Sequence, residues 1–137
     1  MTPPLCQILL VEDEHDHREM LRDLLEYEGF CVEVATNGRE GLDRLAALMS
    51  PPKLILLDLL MPGMNGWAFL EALQERGTIH EAPVIIITAM TGQSVPLAAE
   101  ILKKPIDLPK LIGLARRHCG WEAESGTTRR RAPEIIS

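Results

Sequence analysis

The residues of this chain that are best suited to chemistry follow directly after short apolar runs. They are three carboxylates, a hydroxyl and an ammonium: Glu12, Asp13, Asp58, Thr88 and Lys104. Three carboxylates within about 4–6 Å of one another resist ionising together unless a cation compensates their charge, and Mg²⁺ prefers such oxygen ligands. Asp58 could attack phosphorus as a nucleophile, while Thr88 and Lys104 interact with phosphoryl oxygens. If the fold brings these residues together, they predict a site that accepts a phosphoryl group.

The apolar runs predict five short strands: Ile8–Val11, Cys31–Ala35, Leu54–Leu57, Val84–Ile87 and the weaker Glu100–Lys103. Three of these runs show little polar alternation, which is typical of strands buried on both faces. Segments with helical spacing lie between them, starting near Asp16, after Asn37-Gly38, after Pro62-Gly63 and after Asp107 as an N-cap. Alternating strands and helices predict an α/β fold with a parallel sheet covered on both faces. Ligands of such open sheets bind at the carboxyl ends of the strands, where the five polar residues lie.

Composition excludes several classes of function. The chain has 137 residues, a net charge of −6 and only 4% aromatic residues, which argues against phosphate-backbone binding and base stacking. No apolar run approaches the roughly 20 residues of a membrane helix, and the Ile8–Val11 run is too short for a signal peptide, so neither is expected. The three cysteines, Cys6, Cys31 and Cys119, are irregularly spaced and are expected to be reduced and buried. We therefore expect a soluble cytoplasmic protein with one domain over residues 1–121 and a disordered tail over residues 122–137.

Four segments resemble the receiver domain of two-component response regulators: Ile8–Glu14, Leu56–Gly66, Ile86–Ala89 and Leu102–Pro105. The resemblance spans roughly residues 5–119, and all five signature positions are filled. It implies a flavodoxin-like, doubly wound sheet of five parallel strands in the order 2-1-3-4-5. It also implies a Mg²⁺ site formed by Asp13, Asp58, the backbone carbonyl of Leu60 and, through water, Glu12. In the family's roles Asp58 is phosphorylated, Thr88 is the switch hydroxyl and Lys104 contacts the phosphoryl group.

The sequence departs from the receiver pattern between the fourth and fifth strands. Ile101 occupies a position where receivers usually carry Tyr or Phe. Only Ala89–Ala99 remain for the whole crossover, and Pro96 fits only a first helical turn. We therefore expect the helix of this crossover, the fourth of the fold, to be shortened. Many receivers dimerise through the face formed by the fourth helix, the fifth strand and the fifth helix, and we expect no phosphorylation-driven dimer through that face here. The chain is expected to be a monomer, and Lys104–Pro105 is a candidate for a cis bond.

The expected partners are a sensor histidine kinase or phosphotransfer protein, which would donate the phosphoryl group, and a downstream protein that would take the output. No nucleic-acid or membrane partner is expected. One alternative is a phosphorylation-independent scaffold, although the intact site argues against it. Another is an Asp-nucleophile phosphatase of the haloacid dehalogenase type, which would need a second Asp where Leu60 stands. Beyond phosphoryl acceptance and slow autodephosphorylation, no enzyme activity is expected.

Two further predictions concern individual side chains. His15 and His17, two residues apart at a helix start, do not share a face and are expected to be solvated rather than metal ligands. Leu60 and Met90, two residues beyond Asp58 and Thr88, are expected to flank the path of a water that attacks the phosphoryl group. Both are apolar and bulky, so the phosphorylated state is expected to be long-lived.

Overall fold

The computed structural model describes residues 7–59, 65–78, 81–89, 95 and 97–119. Its strands are β1 (Ile8–Val11), β2 (Val32–Ala35), β3 (Leu54–Asp58), β4 (Val84–Thr88) and β5 (Glu100–Lys103). Its helices are α1 (His15–Tyr27), α2 (Gly38–Ala47), α3 (Gly66–Arg76) and α4 (Leu108–Cys119). The predicted strands are confirmed with small shifts at their ends. In particular, Asp58 and Thr88 are the last residues of their strands rather than the residues that follow them.

The five described strands form one sheet in the order β2-β1-β3-β4-β5. Every pair is parallel, and the register aligns the strand ends, since Val11 pairs with both Ala35 and Leu57. Further along the sheet, Asp58 pairs with Ile87 and Thr88 pairs with Lys103. The predicted α/β fold and strand order are therefore confirmed.

Helices cover both faces of the sheet, which explains why the central strands are apolar throughout. Alternate strand residues such as Leu9, Val11 and Leu57 join one core with Phe69 and Leu73 of α3. The intervening strand residues form a second core with residues of α1 and α4, among them Ile8, Leu10, Leu56, Leu21, Leu25 and Leu111. Because successive strand side chains point to opposite faces, β1 and β3 need an apolar residue at nearly every position. The first polar positions come at the carboxyl ends of these strands.

The connection from β4 to β5 is the irregular part of the fold. Its described residues, 89, 95 and 97–99, contain no helix, in agreement with a shortened crossover. Val95 is buried, and Leu97 and Ala98 pack beside it against the core of α2 and α3. Residues 90–94 and 96 lie outside the described part of the chain. Beyond β5, the Lys104–Pro105 peptide bond is cis.

Other predictions meet the structure only in part. Asp107 caps α4 as predicted, because its Oδ1 accepts a hydrogen bond of 3.1 Å from the Lys110 N–H. Cys31 and Cys119 are free and partly buried, while Cys6 lies outside the described residues. The same is true of the predicted disordered tail, residues 122–137. Within the described part of the chain, no helix has the length and apolar character needed to cross a membrane.

Candidate functional site

The candidate site lies at the carboxyl edge of the sheet, where the backbone fixes four chain segments together. The Glu12 N–H donates to the Ala35 carbonyl at 3.0 Å, just beyond the end of β1. The Lys104 N–H donates to the Thr88 carbonyl at 2.9 Å, which extends the β4–β5 ladder by one residue. Asp58 and Thr88, as the ends of neighbouring strands, lie between these two segments. The sheet register therefore brings Glu12, Asp58, Thr88 and Lys104 to one edge of the sheet.

Three carboxylates meet at this edge. Glu12, Asp13 and Asp58 each offer one oxygen, and these oxygens all lie within 4.8 Å of one another. Glu12 is 1% exposed and Asp58 7% exposed, while Asp13 is half-buried. Carboxylates this close, and largely removed from water, repel one another unless a cation compensates them. The donor set consists of oxygen atoms only and fits a hard divalent cation such as Mg²⁺.

Lys104 supplies positive charge from the opposite side of the site. Its Nζ lies 3.5 Å from Oδ2 of Asp58 and 4.0 Å from Oε1 of Glu12. The lysine side chain remains 30% exposed, so it keeps access to water and to an incoming group. An ammonium in this position can bind an anionic oxygen held at Asp58.

Glu12 is the most constrained of the carboxylates. Its Oε2 accepts a hydrogen bond of 3.1 Å from the Glu14 N–H, and its Oε1 lies 2.7 Å from Nδ1 of His17. Burial raises the pKa of Glu12 above its usual value of 4.5, and the charge of Asp58 acts in the same direction. The hydrogen bonds from His17 and Glu14 and the charge of Lys104 oppose the rise in pKa. The ionised form of Glu12 therefore depends on donors and cations around it.

Sequence reasoning missed His17 as a part of this site. The expectation of a solvated histidine holds for His15, which is 73% exposed and lies 3.2 Å from Asp16. It is wrong for His17, which is only 19% exposed and contacts the buried carboxylate of Glu12. The available signal was Glu14, whose side chain accepts the His17 N–H and caps α1. With α1 starting at His15, the side chain of His17 turns back toward the end of β1.

Arg18 is a second residue that sequence reasoning did not identify. Its guanidinium is buried and donates from Nη1 to the backbone carbonyls of Glu12 at 3.0 Å and Asp13 at 3.3 Å. Arg18 therefore holds the backbone of the β1–α1 loop at the point that carries two of the three carboxylates. Arg18 lies four residues after the N-cap Glu14 in the sequence, and this position alone does not indicate such a role.

Some predicted positions cannot be placed beside these groups. Leu60, whose carbonyl is the expected further metal ligand, lies outside the described residues, as does Met90. Thr88 is the last residue of β4 and is 1% exposed. It directly follows Ile87, which pairs with Asp58. The structure thus brings together the charged groups of Glu12, Asp13, Asp58 and Lys104, and it places Thr88 at the end of the strand between Asp58 and Lys104.

The fold and the site define a small, doubly wound α/β domain with three carboxylates and a lysine at the carboxyl edge of its sheet. A family model described as the response regulator receiver domain matches residues 8–116. This match covers well over half of the chain, so the chain belongs to the response regulator receiver domain family. Its function is accordingly that of a phospho-accepting receiver in two-component signal transduction.

Curated proteins are similar to this chain over most of its length. An uncharacterized 14.6 kDa protein of Leptolyngbya boryana is 36% identical over 118 residues, covering 82% of this chain and 88% of the relative. A transcriptional regulatory protein CpxR homolog of Haemophilus influenzae is 42% identical over 115 residues, covering 79% of this chain and 48% of the relative. The chain therefore spans about half the length of the transcriptional regulators that it matches.

Solved structures agree as well. The response regulator protein TrrA of Thermotoga maritima, solved in complex with Mg²⁺–BeF, is 27% identical with a TM-score of 0.72. That alignment covers 83% of this chain and 99% of TrrA. The signal receiver domain of a signal transduction histidine kinase from Syntrophus aciditrophicus is 29% identical with a TM-score of 0.71. It covers 93% of this chain and 98% of that domain.

Proposed function

We propose that Asp58 is the residue that accepts the phosphoryl group, with Mg²⁺ held by Asp13, Asp58 and the backbone carbonyl of Leu60. Glu12 supports the metal through water. The observation that carries the proposal is the position of Asp58. Asp58 ends the central strand β3. One of its oxygens lies within 4.8 Å of an oxygen of each of the other two carboxylates, and its Oδ2 lies 3.5 Å from Nζ of Lys104.

The proposed transfer uses the carboxylate of Asp58 as a nucleophile. One of its oxygens forms a bond to phosphorus as the bond from phosphorus to the donor's histidine nitrogen breaks, and that electron pair stays on the imidazole. When bound, Mg²⁺ would neutralise negative charge on the phosphoryl oxygens. Lys104 binds one of these oxygens, and the Thr88 hydroxyl donates to another.

The proposed partners follow from this chemistry. A sensor histidine kinase or a phosphotransfer protein donates the phosphoryl group, and a downstream protein binds the phosphorylated form. A cytoplasmic location belongs to the same proposal, because donor and acceptor must share a compartment. We further propose that the domain comprises residues 1–121 and acts as a monomer, without a nucleic-acid or membrane partner. Beyond phosphoryl acceptance and slow autodephosphorylation, we propose no enzyme activity.

The proposal is tested by incubating the full chain with acetyl phosphate and Mg²⁺ and measuring its intact mass. We expect the wild type to gain the mass of one phosphoryl group, and we expect no gain when Mg²⁺ is removed with a chelator. Asp58→Asn should abolish the gain, whereas Asp16→Asn, which alters an exposed carboxylate of α1, should leave it unchanged. If Asp58→Asn gains the same mass with the same yield, the phosphoacceptor lies elsewhere.

The same experiment addresses the scaffold alternative. A wild type that binds Mg²⁺ but gains no mass from acetyl phosphate or from a phosphorylated histidine kinase would favour a phosphorylation-independent scaffold. Asp13→Asn should weaken Mg²⁺ binding in a calorimetric titration, and an unchanged titration would move the metal site away from Asp13.

A further inference from the structure

We propose that His17 is a positioning residue of the metal site, which acts by holding one oxygen of the Glu12 carboxylate. This inference rests on the proposed function, since it concerns the same Mg²⁺ site. Among the described residues, the group of mutually close ligand atoms consists of Glu12, Asp13 and Asp58 and does not include His17, whose contact with this group is the one to Glu12 Oε1. Its proposed effect on the metal therefore passes through Glu12.

The Glu12 carboxylate makes two short hydrogen bonds, one at each of its oxygens. The Glu14 N–H, 3.1 Å away, belongs to the backbone and fixes Oε2. His17 Nδ1, at 2.7 Å, holds Oε1 and is the closer of the two donors. When Glu12 is ionised, its oxygens only accept hydrogen bonds, so Nδ1 of His17 is then the donor in this contact. Together the two donors determine the plane of the carboxylate and hence the direction of its remaining lone pairs.

His17 also bears on the interactions of Lys104, whose ammonium lies near both Glu12 and Asp58. Lys104 Nζ lies 4.0 Å from the same Oε1 that His17 contacts, and 3.5 Å from Asp58. With His17 donating to Oε1, Glu12 keeps a partner when Lys104 turns toward a phosphoryl group on Asp58. Without His17, the buried oxygen would have Lys104 as its nearest remaining partner, and a lost partner of a buried carboxylate is costly. The expected result is a displaced Glu12 and a weaker metal site.

The position of His17 also supports this role, because its neighbour in sequence acts on the same loop. Arg18 holds the backbone carbonyls of Glu12 and Asp13, so we expect the loop to stay in place when His17 is changed. A substitution of His17 therefore alters mainly the orientation of one side chain. Residues that orient metal-binding groups in this manner typically change metal affinity by about 10- to 100-fold when they are replaced.

The test separates hydrogen-bond donation from packing. His17→Phe keeps a ring of similar size and removes the donor, whereas His17→Asn keeps a side-chain N–H at the same number of bonds from Cα and removes the ring. His15→Phe is the matched control, because His15 is exposed in the same helical turn. The Mg²⁺ dissociation constant of each full-length protein is measured by calorimetry without any phosphodonor, and folding is checked by circular dichroism.

We expect His17→Phe to weaken Mg²⁺ binding by roughly tenfold or more, and His17→Asn and His15→Phe to stay close to the wild type. Wild-type affinity in His17→Phe would overturn the inference, as would a loss of affinity in His17→Asn with none in His17→Phe. If His17→Phe does not fold, His17→Ala replaces it, with the same expected loss. In a Glu12→Gln background, His17→Phe should change the Mg²⁺ dissociation constant little further, because the hydrogen bond between His17 and the Glu12 carboxylate is already altered there.

These outcomes are distinguishable from a failure of the proposed function. A wild type that binds no Mg²⁺ would contradict both. A wild type that binds Mg²⁺ with the expected loss in His17→Phe, but takes no phosphoryl group onto Asp58, would contradict only the proposed function. Equal Mg²⁺ affinity in wild type and His17→Phe, with Asp58 phosphorylated normally, would contradict only the role of His17.

Discussion

Lys104 Nζ lies 3.5 Å from Oδ2 of Asp58, although the two residues lie at the ends of strands that are not neighbours. Asp58 ends β3 and Lys104 follows β5, so β4 lies between them. Two strand spacings amount to about 10 Å, and a long side chain is needed to close that distance. The lysine thus brings a positive charge across the edge of the sheet to the carboxylates of β1 and β3.

Replacing this lysine should have opposite effects on metal and phosphoryl binding. Lys104→Met keeps much of the side chain and removes the charge, which leaves Asp58 and Glu12 without their nearest ammonium. We expect tighter Mg²⁺ binding in calorimetry, because the site becomes more negative, and slower mass gain from acetyl phosphate, because an oxygen of the phosphoryl group loses its partner. The exposed Lys110→Met is the control. Weaker Mg²⁺ binding in Lys104→Met would contradict this interpretation.

Gly66 is required by a close approach of backbone to backbone next to the site. Its N–H donates to the Leu59 carbonyl at 2.8 Å, and a Cβ at this position would lie 2.7 Å from the Cα of Leu59. Gly66→Ala must therefore displace Leu59 or the start of α3. We expect a loss of roughly 1–3 kcal/mol in the free energy of unfolding, measured by urea denaturation, together with weaker Mg²⁺ binding because Leu59 follows Asp58.

Gly113 in α4 provides the control for that substitution. Apart from the backbone of its own helix and its two chain neighbours, a Cβ at position 113 would meet no atom within 4 Å, and glycine inside a helix is less favourable than alanine. Gly113→Ala should therefore raise the free energy of unfolding by about 0.5–1 kcal/mol. If both alanine variants change stability by the same amount and sign, the close contact between Gly66 and Leu59 does not limit the substitution.

The start of α2 should make stability depend on pH through Glu40. Its Oε1 accepts hydrogen bonds from the N–H and the hydroxyl of Thr36 at 2.6 and 2.9 Å. These bonds lower the pKa of Glu40 below its usual value of 4.5, with a smaller contribution from the charge of Arg44. A carboxylate with a lowered pKa stabilises the fold above the unfolded value of 4.5, and this contribution is lost as the pH falls through the folded value.

Glu40→Gln tests this dependence because it keeps an acceptor oxygen and removes the charge near the helix N-terminus. At neutral pH we expect the variant to lose roughly 0.3–1 kcal/mol of unfolding free energy. The difference from the wild type should shrink in urea titrations carried out well below pH 4.5. A difference that keeps its full size in acid would mean that the charge of Glu40 is not its source.

The sequence predicted most of the fold and most of the site for one physical reason. Buried parallel strands leave apolar runs in the sequence, and the first polar residue after each run marks the functional edge of the sheet. His17 and Arg18 could not be predicted in this manner, because both reach the site from the first turns of α1. Whether a polar residue in that position faces water or a buried carboxylate depends on where the helix begins relative to Glu12. The N-cap Glu14 determines where α1 begins, and the apolar pattern of the sequence does not.

The last prediction concerns the lifetime of the phosphorylated state. Water must attack phosphorus opposite the Asp58 oxygen, along a path that the resemblance assigns to positions 60 and 90. Leu60 and Met90 are apolar, so neither can position a water by a strong hydrogen bond or act as a base.

General-base assistance is commonly worth about 10²-fold or more in rate, so we expect slow autodephosphorylation of the wild type. The test follows loss of phosphoryl mass after removal of acetyl phosphate, beside a Leu60→Asn, Met90→Glu variant that could position and activate a water. Leu60→Met, Met90→Leu keeps both positions apolar and should decay as slowly as the wild type. If the wild type loses its phosphoryl group as fast as the Asn/Glu variant, apolar shielding does not control the lifetime.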